Sequence, residues 1–231
     1  MNVYAISDLH LSFANPKEMD IFGQNWESHF EKIRENWEKT VSSGDIVLIP
    51  GDLSWAMQIN EALPDIDAIC ALPGKKILLK GNHDYWWSSP SRVRGILKND
   101  THILQYDSID AGDFYICGTR GWILPTDKNF SEQDRVVYER EKIRLRLSLD
   151  SVRDKEKRII AMMHYPPIYP NGEQTEFSKI VDEYPVCHVV FGHIHNGAQN
   201  NYYTDLKINN AVYNLVSCDY LDFKLKKITL F

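Results

Sequence analysis

The sequence GNHD at residues 81–84 decides the fold that we predict for this chain of 231 residues. It directly follows an apolar run at residues 77–79, which has the character of a buried strand. Polar residues at the C-terminal tip of a buried strand mark the place where α/β proteins bind ligands. Asn82 offers a neutral oxygen ligand, and His83 can exchange a proton near neutral pH. We expect Asp84 to hold the imidazole of His83 in one orientation.

Four other apolar runs end in polar residues in the same way. Parallel strands joined by right-handed crossovers place such tips at one edge of a sheet. Residues two apart in an extended stretch point to the same side, so a pair with this spacing can address one centre. We therefore expect one site built from five strand ends. The runs at 3–6, 46–49, 159–163 and 186–191 lead to Asp8 and His10, to Asp52, to His164, and to His193 and His195, respectively.

Helical periodicity alternates with these runs, which predicts an α/β fold. Apolar residues at steps of three and four indicate helices over 26–41 and 59–72. A charged helix should begin after Ser131 and reach about residue 153, with its apolar side at Val136, Ile143 and Leu147. Further strands are predicted for a second, mixed sheet, at residues 102–104, 114–117, 212–216 and 227–231.

The composition limits the class of protein. It is 43% hydrophobic and 25% charged, and no Gly/Ser- or Pro-rich linker divides it, so we expect a single domain over residues 1–231. The formal net charge of -6 argues against a stable complex with nucleic acid. We expect no signal peptide and no membrane contact, because a strand begins at once and no apolar run is long enough to span a bilayer. Four scattered cysteines, without a Cys-x-x-Cys pair, indicate free thiols in a cytoplasmic protein.

The donors at the strand tips are imidazoles and oxygens, without cysteine. This mixture suits two divalent metal ions, with Mn²⁺, Fe, Zn²⁺, Co²⁺ and Ni²⁺ as candidates. Seven donors are too many for one catalytic ion that keeps an open position, but they suit two ions that share a bridging carboxylate. The predicted metal ligands are Asp8, His10, Asp52, Asn82, His164, His193 and His195.

Taken in order, the blocks Asp-x-His, Gly-Asp, Gly-Asn-His-Asp, His and Gly-His-x-His resemble the signature of the calcineurin-like metallophosphoesterases, in their single-domain bacterial form. They cover positions 8 to 195. The resemblance implies a four-layer α/β/β/α sandwich of two mixed sheets, with His83 as proton donor beside the metals. It implies two ligand sets that share Asp52: Asp8, His10, Asp52 and His195 for one ion, and Asp52, Asn82, His164 and His193 for the other.

The function implied is hydrolysis of phosphomonoesters or phosphodiesters, with diesters slightly favoured, by in-line attack of a metal-bridging hydroxide. The substrate would be a small phosphoester, with nucleotides among the candidates. One alternative is a non-catalytic, metal-bound scaffold for protein contacts, against which the complete ligand set and His83 count. A second alternative is a nuclease, which the acidic charge disfavours.

Three further residues are candidates for substrate binding. Arg120 lies between two glycines, where it could reach a phosphate, although a bulge or a tight corner is the slightly favoured alternative. Trp86 either stacks on a base or an aromatic leaving group or packs beneath its loop. Tyr165, next to His164, has the same two interpretations.

Overall fold

The first of two β-sheets is formed by strands from the N-terminal half of the chain and one strand near the C-terminal end. The structure is a computed structural model that describes residues 1–195 and 205–229. β1 and β2 run parallel, with Val3 opposite Ile46. The strands are β1 (Val3–Ala5), β2 (Ile46–Ile49), β3 (Lys75–Leu78), β4 (Thr101–Ile103) and β11 (Lys226–Ile228), in the order β11-β1-β2-β3-β4 with β11 antiparallel.

The second sheet is built from the C-terminal half of the chain. Four of its strands are parallel, and an antiparallel strand closes each edge. Its strand order is β5-β6-β7-β8-β10-β9. The strands are β5 (Ile109–Asp110), β6 (Phe114–Thr119), β7 (Arg158–Met163), β8 (Val186–Phe191), β9 (Leu206–Ile208) and β10 (Ala211–Leu215).

Helices cover the outer faces of both sheets. Two 3-10 turns, Asp20–Phe22 and Gln24–Trp26, precede the first α-helix. None of the helices in the two described ranges is long and apolar enough to cross a membrane. The helices are α1 (His29–Thr40), α2 (Ile59–Ala71), α3 (Pro90–Ile96), α4 (Glu132–Asp150) and α5 (Glu176–Val181).

Three apolar clusters hold these layers together. One packs the first sheet against its helices through residues such as Ile33 and Trp37. The second lies between the sheets and joins Leu48 of one to Met162 of the other. The third packs the second sheet against α4 and α5 through residues such as Phe177. Strands buried on both faces read as continuous apolar runs, which is why the sequence revealed them. The predicted four-layer α/β/β/α class is confirmed.

Two strands lie in a different sheet from the one predicted. The strand near residues 102–104 is β4, which pairs with β3 in the first sheet because the crossover through α3 returns the chain to the adjacent position. The C-terminal strand is β11, which pairs with β1. An apolar pattern predicts that a strand is buried, but it does not specify the sheet that the strand joins. The assignment of these two strands to the second sheet was therefore wrong.

Helix α4 begins as predicted but faces the core with a different side. The Ser131 hydroxyl accepts from the Asp134 amide. Val136, Ile143 and Leu147, the predicted core face, are 63%, 60% and 53% exposed. The buried face includes the charged residue Glu141, whose carboxylate pairs with Arg144 and accepts from the hydroxyl of Thr119. A prediction from hydrophobicity alone therefore chose the wrong face of the helix. The buried residues are Tyr138, Glu141, Leu145, Ser148 and Leu149.

Candidate metal centre

The seven predicted ligands converge where β1, β2, β3, β7 and β8 end. Four of them, Asp8, His10, Asp52 and His193, have positive φ angles of 59°, 47°, 53° and 72°. Non-glycine residues rarely adopt this left-handed conformation, which concentrates at functional sites where the surroundings enforce it. The strand-to-loop turns therefore aim these side chains at one place at a cost in backbone energy.

Two glycines make the convergence possible. A Cβ on Gly81 would collide with the backbone and carboxylate of Asp52, and one on Gly192 would collide with Ser7 and the carboxylate of Asp8. The loops after β3 and β8 can approach these carboxylates only because both positions lack a side chain.

Asp52 occupies the middle of the centre. Its side chain is buried, and its Oδ1 accepts from the backbone amide of His83 at 2.8 Å. Its Oδ2 lies 3.8 Å from Nε2 of His10 and 3.5 Å from Nε2 of His164. One carboxylate thus faces imidazoles on both sides, which is the placement that a bridging ligand requires.

On one side of Asp52, two imidazoles meet the amide oxygen of Asn82. This Oδ1 lies 2.6 Å from Nε2 of His164 and 2.8 Å from Nδ1 of His193. The other ring nitrogen of His164 hydrogen bonds to the carbonyl of Pro50 at 3.0 Å, which fixes the ring and directs Nε2 inward. These contacts bring together three of the residues predicted for the second ligand set.

On the other side lie His10, His195 and Asp8. The two Nε2 atoms of His10 and His195 are 3.4 Å apart, and Nε2 of His195 is 3.8 Å from Oδ1 of Asp8. The Asp8 carboxylate also accepts from the Ser7 hydroxyl and the His193 backbone amide. The residues predicted for the first ligand set therefore lie close together, and their assignment to one ion stays a prediction.

Burial keeps three of the imidazoles neutral. Burial lowers the pKa of His164 to about 3 and that of His193 to about 4, the latter helped by the neighbouring His195 and His83. Burial also lowers the pKa of His10 well below its usual value. At His195 burial acts in the same direction, but the hydrogen bond to Asp219 and the charge of Asp8 outweigh it, so its pKa is raised. Neutral imidazoles have a free lone pair, as metal ligation requires.

The donor atoms fit divalent metal ions. Metal–ligand bonds of about 2.0–2.2 Å in tetrahedral geometry separate ligand atoms by roughly 3.3–3.6 Å, and the inward-facing atoms here are 2.6–3.8 Å apart, a range that includes this separation. Two groups, Asp8 with His10 and His195 and Asp8 with Asp52 and His164, each bring their ligand atoms within 4.8 Å of one another. Burial also raises the pKa of Asp52, with further contributions from Asp8 and Asp84. A cation would relieve this concentration of buried negative charge.

The structure corrects the role predicted for Asp84. Its buried carboxylate accepts from the backbone amides of Asp52, Leu53, Ser54 and Gly81 and from the indole N–H of Trp86, at 2.8–3.2 Å. Five donors occupy both oxygens and hold the loop after β2 against the loop after β3. Asp84 thus fixes the backbone that carries Asp52, rather than orienting the ring of His83.

We expect Asp84→Ala to destabilise the protein strongly. Four backbone amides and one indole would lose their acceptor in a buried site, where each unsatisfied group costs about 1–3 kcal/mol. The free energy of unfolding, measured by urea denaturation, should therefore fall by about 3 kcal/mol or more. The exposed Asp113 provides the control, because Asp113→Ala should change it by less than about 0.5 kcal/mol. Equal stability of the two variants would contradict this account of Asp84.

Asp219 is a site residue that the sequence analysis missed. Its carboxylate, with 2% of the side chain exposed, lies 3.0 Å from Nδ1 of His195 and directs the other ring nitrogen towards Asp8. It follows β10, far from the motif blocks. The sequence signal was its position, because Asp219 is an acidic residue soon after the strand predicted at residues 212–216.

Loss of the Asp219 carboxylate should weaken metal binding without unfolding the protein. We expect Asp219→Asn to reduce the Mn²⁺ affinity of the metal-free protein about 10–100-fold, the usual effect of removing a partner of a metal-ligating imidazole. Isothermal titration calorimetry would measure the affinity. Asp222→Asn is the control, because Asp222 is exposed and pairs with Lys224. An unchanged affinity in Asp219→Asn would show that His195 needs no such partner.

His83 lies beside the ligands, with aromatic rings around it. Its ring centroid is 4.4 Å from that of Trp55 and 5.6 Å from that of His10. Its Nδ1 is buried and has no hydrogen-bond partner within the described ranges. Burial, followed by the charge of Lys17, lowers its pKa. Trp55, which also stacks on His10 at 4.7 Å, is a second residue that the motifs did not reveal.

The three residues predicted for substrate binding differ in position. Trp86 is 2% exposed and donates to Asp84, which favours the packing alternative. The ring of Tyr165 lies 4.2 Å from that of His193 and borders a 270 Å³ cavity beside it. The Arg120 guanidinium lies over Trp122 and lines a separate 270 Å³ cavity with Lys80 and Arg144. Its carbonyl accepts from the amides of His164 and Tyr165.

Comparisons with known proteins agree with this geometry. The sequence model of the calcineurin-like phosphoesterases matches residues 1–197. No curated protein sequence matches the chain significantly.

Two solved structures share the fold at low sequence identity. Phosphopantetheinyl hydrolase (PptH) from Mycobacterium tuberculosis is 14% identical with a TM-score of 0.61, and the match covers 100% of this chain and 96% of that one. AQ665, a protein of unknown function from Aquifex aeolicus, is 16% identical with a TM-score of 0.52, and the match covers 98% of this chain and 95% of that one. With the family match over residues 1–197 and donors able to hold metal at the strand ends, the chain belongs to the calcineurin-like phosphoesterase family and is a hydrolase of phosphoester bonds.

Proposed function

We propose that the chain is a dinuclear metal-dependent phosphohydrolase that cleaves small phosphoesters, with diesters slightly favoured over monoesters. The observation that carries the proposal is the position of Asp52 between two imidazole groups, with His10 at 3.8 Å and His164 at 3.5 Å from the same oxygen. Two ions held by the two ligand sets would share this carboxylate. When bound, they would neutralise charge on the phosphoryl group and lower the pKa of a water molecule for in-line attack.

The protein's own residues would divide the remaining work. Pro50 and Asp219 hold the rings of His164 and His195, so that these ligands need not reorganise when metal binds. His83, whose backbone amide is fixed by Asp52, would donate a proton to the leaving oxygen from its imidazolium form, which the lowered pKa makes a stronger acid. The Arg120 carbonyl accepts from the amides of His164 and Tyr165, and its guanidinium is a candidate contact for a phosphate of the substrate.

A comparison of two chromogenic substrates tests the proposal. Protein stripped of metal and reconstituted with Mn²⁺ should hydrolyse bis-p-nitrophenyl phosphate and p-nitrophenyl phosphate, and the metal-free protein should hydrolyse neither. The faster substrate identifies the diester or monoester preference. Two bound ions without hydrolysis of either compound would contradict the proposed activity and favour the alternative of a metal-bound scaffold.

The proposed cellular location is the cytoplasm. All four cysteines are free thiols, and Cys70, Cys117 and Cys218 are buried. Burial raises the pKa of Cys117 to about 12, which makes it an unreactive thiol. Free, buried thiols are what a reducing compartment permits.

A further inference from the structure

A cavity adjoins the metal centre on the side of His10 and His195. Its volume is 220 Å³, and His83 lies in its wall with these two ligands. The rest of the wall consists of four apolar side chains, which we call the apolar pocket: Met19, Phe22, Trp26 and Trp55.

The apolar pocket is preformed by packing. Trp26 is 3% exposed, and its ring lies 5.3 Å from that of Phe223 and 5.8 Å from that of His195. The Trp55 indole N–H donates to the sulfur of Met19 at 3.3 Å. Trp26 is thus held by Phe223 and His195, and Trp55 and Met19 hold each other. The cavity therefore does not depend on a bound molecule for its shape.

Phe22 is the exception, because the core does not require it. It lies on the 3-10 turn Asp20–Phe22, is 48% exposed, and contacts Trp26 with a centroid separation of 6.3 Å. Its neighbour Ile21 on the same turn is 70% exposed and does not line the cavity. A half-exposed phenyl ring at the rim of a cavity beside a catalytic histidine is placed to cover a ligand rather than to stabilise the fold.

Position and chemistry together indicate what the cavity accepts. In phosphoester hydrolysis, the oxygen of a water molecule forms a bond to phosphorus, the bond from phosphorus to the ester oxygen breaks, and a proton reaches that oxygen to give an alcohol and a phosphate. His83 is the group proposed to deliver this proton, so the alcohol must leave on the side of His83. That side is the apolar pocket.

We propose that the apolar pocket binds the leaving group, and that the substrate is a phosphoester of an alcohol with a flat, apolar or aromatic group. This inference rests on the proposed function, because it assigns the leaving-group side of that same site. A small polar alcohol would leave this apolar wall uncovered, whereas an apolar or aromatic ring can pack against it. Lys17, whose ammonium lies 3.5 Å from the ring centroid of Trp55, is close enough to meet an acidic substituent on such a group.

Two aryl esters with similar leaving-group acidity test the inference. Mn²⁺-loaded protein should hydrolyse 2-naphthyl phosphate with a kcat/KM about tenfold above that for phenyl phosphate, since the second ring is buried in the pocket. If the enzyme prefers diesters, the methyl diesters of the same two alcohols replace them. Phe22→Ala should reduce the ratio to about twofold or less, and Ile21→Ala should leave it unchanged.

The result that overturns the inference is measurable hydrolysis of both esters at equal kcat/KM, or a ratio that Phe22→Ala leaves intact. Absence of metal-dependent hydrolysis would instead contradict the proposed function. The binding of 2-naphthol would then test the apolar pocket independently of activity. Saturable quenching of tryptophan fluorescence by 2-naphthol in the Mn²⁺-loaded protein, weakened in Phe22→Ala but not in Ile21→Ala, would support the pocket. No difference between these variants would overturn it.

Discussion

Replacing Asp52 with asparagine is expected to abolish metal-dependent hydrolysis and, at the same time, to stabilise the metal-free protein. Asparagine keeps the size of the side chain and the oxygen that accepts from the His83 amide. It removes the negative charge that faces His10 and His164 and that would bridge the ions. We expect a fall in kcat/KM of at least about 10³-fold, the upper range for removal of one preorganised electrostatic group.

The stability effect has the opposite sign because the centre concentrates buried carboxylates when no metal is bound. Asp8 and Asp52 have ligand atoms within 4.8 Å of each other, and both side chains are at most 1% exposed. Burial and the charges of Asp8 and Asp84 raise the pKa of Asp52, which means that its ionised form is unfavourable without metal. Removing it should raise the free energy of unfolding of metal-free protein on the order of 1 kcal/mol.

Metal should reverse the order of the two proteins. An ion at 100 times its dissociation constant stabilises the folded state by about 2.7 kcal/mol, and only the wild type should gain this in full. In thermal unfolding, the variant should therefore have the higher melting temperature without Mn²⁺, and the wild type should have the higher one with Mn²⁺. Asp45→Asn is the matched control, because Asp45 is a buried carboxylate that accepts from Asn2 and Ser42 elsewhere. A variant that still binds two ions, or that is less stable without metal, would contradict the role given to Asp52.

The sequence predicts which polar residues meet at this edge of the sheets because topology alone brings them together. Apolar runs reveal the buried strands, and parallel strands must end at one edge, so residues as far apart as Asp8 and His193 meet there. The distances between them could not be predicted. They depend on four left-handed backbone conformations and on two close approaches at Gly81 and Gly192, which arise only when both loops are in place.

The sequence analysis failed where a residue acts through contacts that no pattern encodes. An Asp beside a His suggested that Asp84 orients His83, yet the Asp84 carboxylate accepts hydrogen bonds from five donors in two loops. Asp219 reaches His195 across the sheet edge, so neither spacing nor periodicity connects them. The apolar pocket was likewise hidden, because Trp26 reads as one more apolar residue of a helix face.

Replacing His83 with alanine should separate proton donation from metal binding. His83 is not among the seven predicted ligands, and its ring packs between Trp55 and the half-exposed Tyr85, with centroid separations of 4.4 and 6.2 Å. Both ions should therefore remain bound in His83→Ala. With an alkyl ester, whose alkoxide leaves only when protonated, we expect kcat/KM to fall by about 10²–10⁴-fold.

The leaving group provides the internal control for this prediction. A p-nitrophenolate ion leaves without a proton, so the same variant should lose less than about tenfold with p-nitrophenyl esters. His102→Ala, at an exposed histidine paired with Asp100, should match the wild type with both substrates. A loss of equal size for alkyl and p-nitrophenyl esters would mean that His83 positions the phosphoryl group, as a hydrogen-bond donor would, instead of protonating the alcohol. His83 would then no longer indicate on which side the alcohol leaves. The ratio of kcat/KM for 2-naphthyl and phenyl phosphate would be the remaining evidence that the apolar pocket binds the leaving group.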